Sequence, residues 1–190
     1  MENNTYDNEN FSNSNYSAQI ISGSEFIDCV FQHCDFSECS FTETDFINCR
    51  FDGCNFAMAK LGGTGLKEVE FIDCKLIGIN FDDCSDFLFA VSFQKCMLDY
   101  SSFQKKKMKK VKFMDCSLKE VDFTNVDLSM AVFSHCDLSR AIFRNSNLEK
   151  ADFRSASNYS LDPETNRIKK ARFSLAGIAG LLEKYNIEIE

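Results

Sequence analysis

Ten cysteines, two histidines and the run KKKMKK at 105–110 are the side chains of this chain best suited to chemistry. The cysteines stand at 29, 34, 39, 49, 54, 74, 84, 96, 116 and 136, no two closer than five residues. A tetrahedral metal centre needs ligands clustered locally, as in CxxC, and that spacing is missing. His33 and His135 each precede a cysteine but lie far apart, which leaves little material for a Ser–His–Asp site. No P-loop, HExxH, nucleophile elbow or paired-carboxylate motif is present. The chain is therefore expected to be no enzyme and to carry no metal or cofactor. A formal net charge of −8 argues against a general nucleic-acid binder, so no direct nucleic-acid binding is expected.

What positions the cysteines is a repeat. From Phe26 a large apolar residue recurs every fifth position through Phe31, Phe36, Phe41, Phe46, Phe51, Phe56, Leu61, Leu66, Phe71, Leu76 and Phe81. The series restarts two residues out of step at Phe93 and runs to Phe153. Two residues before each large one sits a small or β-branched residue, and all ten cysteines hold this phase. They read as small buried filler. Only Lys106 breaks the rule. It is expected to turn outward through a bulge, because an unpaired buried ammonium is costly.

A period of five is neither helical nor purely strand-like. Three extended residues point the small and the large side chain to one side, and two more turn a corner. Stacked edges of this kind form a solenoid with a column of side chains as its core. At a lag of four edges the columns become uniform. Phe31, Phe51, Phe71, Phe93, Phe113, Phe133 and Phe153 align, and beside them Cys34, Cys54, Cys74, Cys96, Cys116 and Cys136. The fold predicted is an all-β, four-sided β-helix with twenty residues per coil.

Three irregularities fall on one face in consecutive coils: Gly62, Gly63 and Gly65 before Leu66, the insertion at 84–91, and the lysine run. They predict a partner-contact patch of Phe87, Phe89, Lys105, Lys106, Lys107, Lys109 and Lys110. The polar, Asn-rich residues 1–16 read as a flexible tail, 17–157 as the β-helix and 158–190 as a cap with a dimerisation segment. Ser174 is a candidate N-cap, and Leu175, Ile178, Ala179 and Leu182 have helical spacing, so a capping helix is expected there. IEIE at 187–190 alternates like a short strand. No signal peptide or membrane span is visible, and ten cysteines without one suggest reduced thiols in a bacterial cytoplasm. Charge is uneven, −12 over residues 1–100 and +4 over 101–190.

The motifs CDFSE, CSFTE, CRFDG and CDLSR resemble the small–polar–Leu/Phe–x–x pattern of the pentapeptide-repeat family. The resemblance implies a right-handed quadrilateral β-helix. The segments EFIDCKLIGINF at 70–81 and NRIKKARFSLAGIAGLLEKYNIEIE at the C-terminus resemble a narrower group, the Qnr-type quinolone-resistance proteins and the albicidin-resistance protein. That likeness implies a homodimer joined tail to tail, with Phe173, Leu175, Ile178 and Leu182 as candidate interface. It implies binding to DNA gyrase, with topoisomerase IV as a second target, and protection from a quinolone or albicidin. It also implies DNA mimicry by outward carboxylates, of which Glu25, Asp35, Asp45 and Glu70 are candidates. The chain lacks the two long loops of the Gram-negative Qnr pattern and has only the short insertion at 84–91. A toxin-immunity or structural role with another partner is the alternative that the family leaves open.

Overall fold

A computed structural model describes residues 4–188. The chain winds as a parallel four-sided solenoid. On one face lie β1 (Thr5–Asp7), β3 (Glu25–Ile27), β5 (Asp45–Ile47) and β7 (Gly65–Lys67), paired in that order. The adjacent face stacks β2 (Asn10–Ser12), β4 (Val30–Gln32), β6 (Arg50–Asp52), β8 (Val69–Ile72), β9 (Val91–Gln94), β10 (Lys112–Met114) and β11 (Val132–Ser134). The remaining two faces are held by single bridges such as Asp35↔Asn55 and Ser102↔Asp122. Phe31↔Phe51 shows the twenty-residue coil, and Phe71↔Phe93 carries the two-residue insertion.

Two physical devices make the coil. The first is a left-handed residue at nearly every corner, two positions after the large one: Asp28 (φ 53), His33 (φ 52), Asn48 (φ 52), and so on to Lys150 (φ 60), with Asp83 in a 3-10 turn as an exception. His33 and His135 are such corners, both exposed. The second is the bore. Phe rings stack on their counterparts one coil away, with centroids 4.7 Å apart for Phe31–Phe51 and 5.2 Å for Phe93–Phe113. Neighbouring columns meet edge to face, as at Phe93–Phe103. Both arrangements suit the aromatic quadrupole.

The cysteines are buried, but they are more than filler. Cys49, Cys54, Cys96 and Cys136 each donate their thiol to the carbonyl of the large residue twenty-odd positions earlier, at 3.3–3.4 Å. Thr44, Ser101 and Asn166 do the same from equivalent positions, to Ile21, Leu76 and Phe143. The inward small position is thus a donor position, which alanine fills without a bond. Burial pushes the Cys39 thiol up to about 11 and those of Cys49 and Cys84 to about 12. Such thiols stay protonated at neutral pH.

The ends differ from the sequence expectation. Residues 1–16 are not a tail: from Asn4 on they form the first coil, with β1 and β2 paired to β3 and β4. Tyr6 stacks on Phe26 and Phe11 on Phe31, both at 4.8 Å. Residues 1–3 lie outside those described. The repeat also runs past 157. Arg167 and Arg172 bridge to Asn147 and Asp152, and Phe173 stacks on Phe153 at 5.4 Å.

The expected capping helix is absent among the described residues. Ile178–Leu181 and Glu183–Tyr185 are short 3-10 turns. Ser174 does accept the Gly177 N–H at 3.1 Å, as an N-cap would. The turn cannot continue as an α-helix at low cost with glycines at 177 and 180. Both glycines press on buried Tyr159, where a Cβ at 177 would overlap its hydroxyl and one at 180 its carbonyl. Lys184 fastens the segment to Asp162 (2.6 Å) and Glu164 (2.7 Å), closing the end of the bore. Ile187 and Glu188 form no strand, and 189–190 lie outside the described residues.

Two outcomes are expected. Iodoacetamide at about pH 8 should leave the folded protein unlabelled over a time that labels all ten thiols in urea. Fast labelling of a single cysteine in the folded chain would contradict the burial. Gly180→Ala should cost about 1–3 kcal/mol in urea unfolding. Gly62→Ala, which meets nothing within 4 Å, should shift stability by less than about 0.5 kcal/mol.

Candidate interaction surface

The three irregularities do meet on one face, continuing that of β1, β3, β5 and β7. Ser85 N–H still donates to Thr64 O at 2.9 Å, as a regular edge would. The chain then leaves the wall, and Ala90 N–H regains it at Leu66 O, also at 2.9 Å. Between these two ties Asp86, Phe87 and Leu88 project outward. Leu88 takes the left-handed conformation (φ 56), and Phe87 N–H donates to Ser85 Oγ at 3.3 Å. Phe87 is 67% and Leu88 65% exposed, whereas Phe89 folds back against the core. The exposed pair is therefore Phe87 and Leu88, rather than Phe87 and Phe89.

Lys106 does not turn outward. It is 2% exposed and points inward beneath the insertion. Its Nζ donates to Cys84 O at 2.6 Å and to Asp86 Oδ1 at 2.7 Å, and lies 5.2 Å from the Phe89 ring centre. The outward expectation assumed an unpaired ammonium, and here it has three partners, all supplied by the insertion. In regular coils the residue after the small one bonds the small residue's carbonyl one coil below, as Asp127 N–H does to Lys106 O at 2.9 Å. At Cys84 the ammonium takes that carbonyl instead. Lys106 is thus a tether that holds a displaced loop to the wall. Sequence inspection found the odd lysine and the odd loop but not that each answers the other.

The glycine stretch also has a specific role. Gly65 leaves room for the Asp45 carboxylate, which a Cβ would overlap. Asp45 pairs with Lys67 at 2.8 Å, and Lys67 Nζ stands 5.6 Å from the Phe87 ring centre. Lys105, Lys107, Lys109 and Lys110 are all exposed on the coil that carries Lys106.

The candidate acids do not form one stripe. Glu25 and Asp45 stack in register on the patch face, Asp35 lies on a bridge-held face and Glu70 on the face of β8. Asp35 accepts the Ser37 N–H at 3.0 Å and the Asn55 amide at 3.0 Å, and these bonds hold its carboxyl below the usual range. Of the candidate interface residues, Phe173 completes the bore. Leu175 (89%) and Ile178 (45%) are exposed and Leu182 half-buried at the C-terminal end. No group of His, Cys, Asp or Glu among the described residues is arranged to hold a metal, and no helix is long and apolar enough to cross a membrane.

The tether makes opposite demands of its two ends. Lys106→Met removes a buried charge and keeps the bulk, so global stability should hold or rise. Asp86→Ala strands the ammonium on one carbonyl and should cost about 1–2 kcal/mol, less than a fully buried pair because Asp86 is itself exposed. Both variants should speed chymotryptic cleavage at 87–89. Unchanged cleavage in both would show that the loop holds without the tether.

Comparison with known proteins agrees with this architecture. The family model described as "Pentapeptide repeat region" matches residues 24–103 and 86–153. No curated protein is similar enough in sequence to count as a match. Among solved structures, a trypsin-treated QnrB1 variant, a plasmid-mediated fluoroquinolone resistance protein, superposes with a TM-score of 0.59 at 21% identity. That match covers 100% of this chain and 95% of the other. HetL, a pentapeptide-repeat protein involved in heterocyst differentiation regulation in the cyanobacterium Nostoc, has a TM-score of 0.41 at 17% identity, covering 89% and 86%. The repeat, the four-sided coil and the family match lead to one conclusion: the chain belongs to the pentapeptide-repeat family.

Proposed function

We propose that this protein binds DNA gyrase, and topoisomerase IV as a second target, and protects it from a poison such as a quinolone or albicidin. The observation that carries the reading is the end-to-end likeness of fold to a fluoroquinolone resistance protein. No step of chemistry is needed. The rod engages the enzyme–DNA–drug complex, and contact either displaces the drug or lets the cleaved DNA reseal.

Charge and shape support this reading. The first hundred residues carry −12, and duplex-like acidity favours a basic saddle that normally holds DNA. Exposed Leu175, Ile178, Tyr185 and Ile187 gather at the C-terminal end, an apolar surface suited to a second copy. Tail-to-tail pairing would bring the two basic rear halves together and leave the acidic ends outward. The patch of Phe87, Phe89, Lys105, Lys107, Lys109 and Lys110 then faces the enzyme, with Lys106 beneath it as tether.

Purified protein added to gyrase supercoiling assays should restore activity in the presence of a fluoroquinolone or of albicidin. No rescue with either drug at any dose would overturn the reading and favour another partner. Affinity for gyrase should fall steeply between about 50 and 300 mM salt, where screening shortens the reach of the field. A flat salt response would remove electrostatic mimicry from the mechanism.

A further inference from the structure

The lysines beside the knob are the densest run of cations in the chain. Half of the other exposed cations are paired, as Arg50 with Asp52, Lys119 with Asp137, Arg140 with Glu120, Arg154 with Asp152 and Arg167 with Glu149, and others, such as Lys60, Lys95 and Arg144, are unpaired but scattered. Lys105, Lys107, Lys109, Lys110 and Lys112 make no ion pair among the described residues, and all are exposed. No acid interrupts the sequence between Asp99 and Asp115. The five form a band around nearly half of one coil, from one corner of the patch face to the first residue of β10. Like charges this close repel one another, and folding alone does not explain keeping them.

The band has an apolar neighbour and an acidic frame. Phe87 and Leu88 stand proud on the coil below it, on the same face, fixed by the Lys106–Asp86 tether. Exposed Glu68, Glu70, Asp82 and Asp83 lie on the preceding coils, and Asp127 on the coil above is bridged to Lys107. Phosphate along the rod would meet these acids on both sides of the band. A flat anionic lipid surface would meet them too. A protein surface whose own charges alternate meets no such conflict.

We propose that the Phe87–Leu88 knob and the lysine band form one docking surface for an acidic protein surface with an apolar socket, and that it fixes where along its length the rod rests on a partner. The identity of that partner as gyrase rests on the reading above. An acidic rod on a basic saddle gains nearly the same energy at many axial positions. A basic band is repelled by the saddle everywhere except at an acidic notch, so only one position satisfies both. The knob adds a desolvated anchor, and the tether keeps it ordered before binding.

The test has two arms. The first probe is a fluorescein-labelled peptide of alternating Glu and Leu pairs, with Gln replacing Glu in the control. The wild type should bind the acidic peptide saturably and not the control. Binding should weaken by about tenfold or more in the quadruple variant Lys105→Gln, Lys107→Gln, Lys109→Gln, Lys110→Gln and in Phe87→Ser, Leu88→Ser. Absence of saturable binding, or binding unchanged in both variants, overturns the surface. So does binding of a short DNA duplex or of phosphatidylserine vesicles that the quadruple variant abolishes. The second arm measures gyrase affinity for the same proteins, with thermal melts to confirm folding. Loss in both variants supports the surface. Full affinity in both overturns it while leaving the gyrase reading intact. Peptide binding without any gyrase binding overturns the gyrase reading and leaves the surface standing.

Discussion

The structure depends on placing about one residue in five in the left-handed region, with glycine at only a few of these corners, such as Gly53 and Gly78. Asn48, His135 and Lys150 illustrate it, at φ 52, 52 and 60. Each such corner carries a steric cost of about 1–2 kcal/mol. The offset is local. The N–H of the corner residue points along the rod axis and donates to the coil above, as Asn48 does to Lys67 O at 2.8 Å and Lys150 to Lys169 O at 3.0 Å. Four corners close a coil in twenty residues. Closure in twenty puts ring over ring and donor over carbonyl, and the bore is then filled by two repeated contacts rather than by a varied jigsaw.

A repeat this strict makes an exception visible as a structural event. Two added residues at 84–91 break the sheet of β1, β3, β5 and β7 after β7, because the displaced chain no longer offers the next edge a matching strand. The carbonyl of Cys84 is left facing inward. A small side chain at 106 would leave that carbonyl and the loop unattached. Lysine spans the gap, its stem filling the bore and its ammonium reaching two oxygens. The insertion and the lysine are one feature: the loop supplies the ammonium's partners, and the ammonium holds the loop to the wall.

The columns were legible in the sequence because a fixed period leaves few alternatives once the lag is found. The same logic explains what escaped. Tyr6, Phe11, Tyr16 and Ile21 keep the five-residue phase, but their small-position companions are Asn4, Glu9, Ser14 and Gln19. Donors at that position elsewhere bond to an earlier coil, whereas the side chains of Asn4, Ser14 and Gln19 bond only within four residues of themselves, so the stretch is polar where the later coils are not and resembles a tail. At the other terminus the spacing of Leu175, Ile178 and Leu182 suggested a helix. The tertiary demand of Tyr159 for two bare glycines prevails over that pattern. Lys106 departs from the outward expectation because its partner Asp86 stands twenty residues away, in a loop whose path the sequence does not show.

The acids show why composition alone misleads about function in such a rod. Asp122, Asp127 and Asp137 each accept the N–H two residues on, at 2.8, 2.9 and 3.1 Å, and so finish their edge of the coil. Partial burial works against the Asp137 charge, yet bonds from Ser139 and Asn158 hold its carboxyl at about 2. The Asp137 carboxyl therefore stays ionised at neutral pH. One coil away on the same row, the next group is in places an amide that donates back: Asn147 to Asp127 and Asn55 to Asp35, both at 3.0 Å. Carboxylates stacked at strand spacing would repel, and alternation with asparagine relieves this. Much of the acidic pattern is therefore set by how an edge ends and how rows stack, and it gives a field without requiring a partner to have selected it. The lysine band has no such internal explanation. Other unpaired cations, such as Lys60, Lys95 and Arg144, are scattered, whereas five lie together here next to an exposed aromatic, and that concentration is the part of the surface that folding leaves unexplained.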